Sequence, residues 1–166
     1  MGKTGANEVE LSLLGNCSLE TKNYFLNLIK KNRLNSQQVK FLPAVEESKI
    51  AAIASIHHIG LACEVPYILN REICLTNKVF MYPLGANAIV FTKTKAQLLF
   101  LEQHPGIGVM YEPGDVGQLV KLLNNYINHP ELLHQHRIAA LKVATEQLNW
   151  ETEKEILLRK INELLN

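Results

Sequence analysis

Leu75-Thr76-Asn77-Lys78-Val79-Phe80-Met81-Tyr82-Pro83-Leu84-Gly85-Ala86-Asn87-Ala88-Ile89-Val90-Phe91 holds a helix and the strand that follows it. The helix is expected near Asn77–Leu84. Gly85 ends it, and the continuous apolar run Ala88-Ile89-Val90-Phe91 has the composition of a strand buried on both faces. A strand upstream, His57 to Ala62, and another downstream, Ile107 to Tyr111, flank this pair, with a helix over Lys95–Gln103 in the second connection. Strands alternating with helices at such spacing imply parallel pairing through crossover connections, which are right-handed.

The pattern extends to both ends. Val9 to Leu14 alternates and stops at Gly15-Asn16, as a strand entering a turn does. Ser18 is a candidate cap for a helix whose apolar stripe is Tyr24, Phe25, Leu28 and Ile29. Val39 to Leu42 is a short strand closed by Pro43, and Glu46 to Ile56 a short helix. From Asp115 the chain is wholly helical: Asp115–Asn128, Pro130–Gln147 and Glu151–Leu165. Asp115 suits an N-cap and Pro130 a first turn. The expected fold is α/β, a doubly wound parallel sheet with a helical C-terminus, in one domain over residues 1–166.

The 166 residues carry 17 basic and 16 acidic side chains, so bulk charge gives no case for nucleic acid or an anionic membrane. An apolar fraction of 47% excludes a disordered chain. Cys17, Cys63 and Cys74 form no Cys-x-x-Cys pair; free thiols in a reducing cytosol are expected. No signal peptide or membrane span is readable, and the expected location is cytoplasmic or peripheral to a membrane. Trp150 is expected to anchor the last helix against the sheet.

In an open parallel sheet, ligands bind beyond the carboxyl ends of the strands. That selects the loops Gly15–Ser18, Pro43–Glu46, Glu64–Lys78 and Thr92–Lys95. The longest, opened by Glu64, runs into the helix start at Asn77-Lys78, where free amides and a partial positive charge attract phosphate. Lys78 opposes the helix dipole there; an anionic ligand would justify it, and a solvated surface lysine is the alternative. Gly2-Lys3-Thr4 lacks the upstream glycine and strand of a phosphate-binding loop. His134 and His136, two apart on a helix, face different sides and make a poor metal pair.

The stretch from Leu75 to Val90 resembles the donor-site helix of retaining, group 1 glycosyltransferases of the GT-B fold, whose motif runs approximately Pro-Asn/Ser-Lys-Leu-Phe-Glu-Tyr-x-Ala-x-Gly-x-Pro-Val-Ile. Val39-Lys40-Phe41-Leu42-Pro43-Ala44-Val45 looks like the strand and loop that border the nucleotide base in that family. Ile59-Gly60-Leu61 is similar to its Asp-Ile-Gly-Leu strand, with His58 replacing the Asp. Gly108-Val109-Met110-Tyr111-Glu112-Pro113-Gly114-Asp115 and Asn149-Trp150-Glu151 resemble two further elements, in the same order.

The resemblance implies the Rossmann-like C-terminal half of such an enzyme. That half binds a nucleoside-diphosphate sugar as donor substrate, with no metal and no other cofactor, and moves the sugar to a glycan or lipid-type acceptor. It implies that the amides of Thr76, Asn77 and Lys78 cradle the diphosphate. Pro43 and Ala44 line the base pocket, Phe80 and Tyr82 pack the helix, and Gly85 allows a close turn. Gly15 and Glu64 open further donor-site loops. No catalytic residue is assigned.

Three features depart from the family. Met81 stands where a glutamate grips the ribose hydroxyls. A charge-assisted hydrogen bond contributes about 1.5–3 kcal/mol, so donor affinity drops about 10- to 150-fold. Glu72 is one residue out of register with the family's Glu-x7-Glu. The family's first strand of this domain has no counterpart before Val9, and its N-terminal acceptor domain is missing. An incomplete enzyme is therefore expected, partnered by an acceptor-domain chain or by self-association. The alternative is a non-catalytic remnant or scaffold domain that pairs with another chain. A dehydrogenase or epimerase is disfavoured, because no Gly-x-Gly-x-x-Gly follows the first strand.

Overall fold

The computed structural model describes residues 9–165, which form two compact units, divided after Glu47. Gly2-Lys3-Thr4 lies outside the described residues.

In the first unit, β1 (Leu11–Leu14) and β2 (Val39–Leu42) pair in parallel, Leu11 opposite Val39 and Leu14 opposite Leu42. The crossover is α1 (Leu19–Lys31). Ser18 caps it as expected, its Oγ accepting the Thr21 N–H at 3.1 Å. Lys30 and Lys31 fall in its last turn, where cations suit the dipole. Ile29 is buried, and Phe25 meets Phe41 edge-on at 6.0 Å.

The second unit contains α2 (Glu47–Ser55), β3 (Ile59–Ala62), α3 (Leu69–Ile73), α4 (Lys78–Leu84) and β4 (Ala88–Thr92). It continues with α5 (Lys95–Gln103), β5 (Gly108–Tyr111), α6 (Val116–Asn128), α7 (Pro130–Glu146) and α8 (Trp150–Leu165). The three strands form a parallel sheet in the order β3-β4-β5, and every residue of β4 is buried. Its side chains alternate, as a strand's must. Ile89 and Phe91 join Val79, Phe100, Ile107, Ala140 and Val143 on one face. Ala88 and Val90 join Tyr111 and Tyr126 on the other. Helices therefore cover both faces of a parallel sheet, which is the doubly wound α/β arrangement.

The pairing departs from one continuous sheet of five strands. Among the described residues there are two ladders, β1-β2 and β3-β4-β5, and no strand joins them. β1 and β3 each have a strand partner on one edge. Two histidines also fall short of the strand expected over His57–Ala62, which begins at Ile59. The preceding turn is held by buried Asn87, whose Nδ2 donates to the carbonyls of Ala54 (2.9 Å) and His57 (2.8 Å).

Caps at the C-terminal helices follow the sequence. The Asp115 carboxylate accepts the Gln118 N–H at 2.8 Å, and Pro130 occupies the first turn of α7. Trp150 does not anchor the sheet: it opens α8 with 64% of its surface exposed. The reason is that α8 buries no side chain at all and leaves Ile156, Leu157, Leu158, Ile161, Leu164 and Leu165 exposed. No helix among the described residues is long and apolar enough to cross a membrane, and the three cysteines are free thiols.

Candidate functional site

The carboxyl ends of β3, β4 and β5 are tied together by a hydrogen-bond chain. The Glu64 N–H donates to Thr92 Oγ1 at 3.0 Å, and the Thr92 hydroxyl donates to the Tyr111 oxygen at 3.1 Å. Thr92 is buried because it ends a fully buried strand, so its hydroxyl takes partners from the two neighbouring tips. Burial, together with the neighbouring Cys63, pushes the Tyr111 phenol up, while the bond to Thr92 opposes it.

Glu64 turns its side chain inward, 4% exposed, into three donors. Lys78 Nζ stands 2.8 Å from Oε1, the Thr76 hydroxyl donates to the same oxygen at 3.0 Å, and Arg71 Nη1 donates to Oε2 at 2.7 Å. Burial alone would raise this carboxyl. The hydrogen bond and charge of Lys78, then Thr76 and Arg71, outweigh burial and hold it below its ordinary value. The cluster carries two cations for one carboxylate, and both cations keep solvent access, at 42% for Arg71 and 43% for Lys78.

Lys78 at a helix start thus has an internal explanation that neither sequence reading contained: its counter-charge is a buried carboxylate of the same chain. α4 itself is short and contains Pro83, so its dipole is a minor contributor. The first hydrogen-bonded amide of the turn is Val79, at 3.1 Å from the Thr76 carbonyl. Among the described residues, the amides of Thr76, Asn77 and Lys78 have no hydrogen-bond partner. Asn77 is exposed and its side chain makes no capping bond. Met81 lies half-buried one turn further on.

Five of the candidate residues, Glu64, Thr76, Asn77, Lys78 and Met81, belong to this one loop and helix of the second unit. Gly15, Pro43 and Ala44 belong to the first unit. There Gly15, with φ of 135°, follows β1 and donates its N–H to the Leu42 carbonyl at 3.1 Å, beside the exposed Pro43 and Ala44 that follow β2. Each group occupies the carboxyl end of a parallel ladder.

The packing residues behave largely as expected. Tyr82 packs against β3, its hydroxyl donating to the Leu61 carbonyl at 3.2 Å, and its acidity falls to a pKa of about 12 through burial and the charges of Cys63 and Glu64. Phe80 meets Phe100 edge-on at 5.7 Å but is partly exposed. Gly85 serves close approach rather than a special turn: a Cβ there would stand 2.7 Å from Ala54 Cβ, whereas the left-handed residue is Ala86, at φ 52°. Glu72 accepts the Lys95 N–H at 3.2 Å, so it caps the start of α5.

Arg71 was not singled out by the sequence. It sits on α3, inside the stretch read as a loop, and the only sequence signal is a cation in the same segment as Glu64.

No protein-family model matches the sequence, and no curated protein matches it. Solved structures do match in fold. HepE of Anabaena in complex with UDP-glucose aligns with a TM-score of 0.72 at 17% identity, covering 94% of this chain. The same protein with UDP gives 0.70 at 17% identity, and with UDP and glucose 0.71 at 16%, each over 93% of this chain. The chain spans 41% of the length of these structures.

Proposed function

We propose that this chain, which shares its fold with part of a protein crystallised with UDP-glucose, is the nucleotide-sugar-binding portion of a glycosyltransferase. It would hold a nucleoside-diphosphate sugar while the sugar passes to a glycan or lipid-type acceptor, with the acceptor side supplied by another domain or chain. The observation that carries the reading is the row of unpartnered amides at Thr76, Asn77 and Lys78, with the Lys78 ammonium beside them, at the carboxyl end of a parallel sheet. Such donors match a diphosphate leaving group, whose negative charge grows as the glycosidic bond to the sugar breaks.

The half-buried thioether of Met81 offers no acceptor strong enough for a ribose hydroxyl, so the proposed affinity is modest. Free thiols suit a reducing cytoplasm.

The test is thermal melting with UDP, GDP and ADP. A ligand at 100 times its dissociation constant stabilises by about 2.7 kcal/mol, which shifts the midpoint of a chain this size by roughly 5–11 °C. No shift with any of the three at millimolar concentration overturns the proposal. The exposed apolar stripe of α8 favours a second reading, a non-catalytic domain that pairs through that helix. It requires self-association or a bound partner, and light scattering that finds a monomer at all concentrations removes self-association.

A further inference from the structure

We infer that Arg71 and Lys78 act as one two-cation pocket for a diphosphate-type anion, and that Glu64 is the positioning residue that fixes both. This rests on the donor-binding reading above and adds a residue, Arg71, and a role, that of Glu64, to it.

The geometry is specific. Glu64 follows β3, Arg71 lies on α3 and Lys78 opens α4, so one carboxylate joins three pieces of chain that share no local periodicity. A carboxylate 4% exposed is costly to bury, and its three donors offset that cost only while they stay in place. Neither cation is used up by the contact. The Arg71 hydrogen bond to Glu64 runs through Nη1, which leaves donors of the same guanidinium fork, and Lys78 has three N–H bonds. Both side chains are more than two-fifths exposed. A buried anchor therefore holds two half-exposed cations, with a surplus positive charge, next to the unpartnered amides of Thr76–Lys78. Two oxygens of a diphosphate can be met at once by such a pair, and the guanidinium plane suits the bidentate contact.

The arrangement distinguishes positioning from neutralisation by sign. If Glu64 merely cancelled charge, removing its charge would strengthen anion binding. If it positions the cations, removal weakens binding although the pocket becomes more positive.

Isothermal titration of the full chain with inorganic pyrophosphate and with UDP reads this directly. R71M and K78M are each expected to lose tenfold or more in affinity for both ligands. E64Q is expected to lose affinity as well. E64D, which retains the charge but withdraws it by one methylene, is expected to bind more weakly than the parent and so serves if E64Q does not fold. Tighter binding by E64Q, or unchanged binding by E64D, overturns the role of Glu64. An R71M variant that binds UDP like the parent overturns the role of Arg71 while leaving the donor-binding reading intact. A parent chain that takes pyrophosphate, with the loss in R71M, but ignores UDP, GDP and ADP keeps the pocket and overturns the nucleotide-sugar reading. A parent chain that binds none of them overturns both.

Discussion

The ring of Tyr82 occupies the space that a Cβ on Gly60 would need. Glycine is therefore required in β3 by the closeness of α4, and not by its own backbone angles. The same ring delivers its hydroxyl to the Leu61 carbonyl. A strand and the helix that opens the candidate site are thus fixed to each other by one absent side chain and one hydroxyl.

Replacing Gly60 with alanine should destabilise the fold by about 1–3 kcal/mol, the usual cost of overpacking. Urea unfolding of G60A and of the G60A/Y82L pair checks this. The second change should recover part of the loss, because the clash and the ring share one volume.

Tyr82 also predicts an alkaline limit. Its folded pKa is raised to about 12 from an ordinary 10.0, so the folded state keeps a proton that the unfolded chain releases. The associated stability is full below pH 10 and is lost as pH rises towards 12, on the order of 2–3 kcal/mol. Denaturant midpoints across that range should fall more steeply for the parent than for Y82F.

Glu64 predicts the opposite limit. Its folded pKa lies below the ordinary 4.5, so its contribution is present above that value and is lost as pH falls through the folded pKa. The parent should lose stability on acidification from pH 4.5 downwards, while E64Q, weaker at neutral pH, should show a shallower decline. Parallel acid slopes for the two proteins would contradict the buried ion cluster.

Asn87 is a structural residue that serves two part-buried acceptors. Asn87→Ala removes both Nδ2 bonds, leaving the Ala54 carbonyl with the His57 N–H alone and the His57 carbonyl without its Asn87 donor. Leaving a buried acceptor unpaired costs about 1–3 kcal/mol. A drop of several degrees in melting temperature is expected, with no change in nucleotide affinity.

Deleting α8 should cost little stability, since none of its side chains is buried. The shortened chain should melt within a few degrees of the parent. Any concentration-dependent association of the parent, followed by light scattering, should disappear with the helix.

Much of this was legible without coordinates. Strand β2 shows itself by a four-residue run stopped at Pro43, and α1 by capping at Ser18, whose Oγ accepts the Thr21 N–H. Both are local signals. α3 was read as loop because its five residues carry no period; long-range contacts fix it, Arg71 to Glu64 and Glu72 to the Lys95 amide. The partner of Lys78 was invisible for the same reason. A carboxylate many residues upstream leaves no mark on the local pattern, so a lysine against the dipole suggested an outside anion. Trp150 misled through chemistry alone, since a lone tryptophan usually finds a core, and this one opens a helix without one. The split into two ladders follows from which strands pair, which periodicity does not encode.

The relay from the Glu64 amide through Thr92 to Tyr111 makes the tips of three strands one stiff bar. A residue that follows its strand and opens a long loop would ordinarily trade its amide hydrogen with water quickly. Here that hydrogen should exchange as slowly as those in the sheet, so the stretch that carries Arg71, Thr76 and Lys78 sets out from a fixed point and not from a fraying strand end.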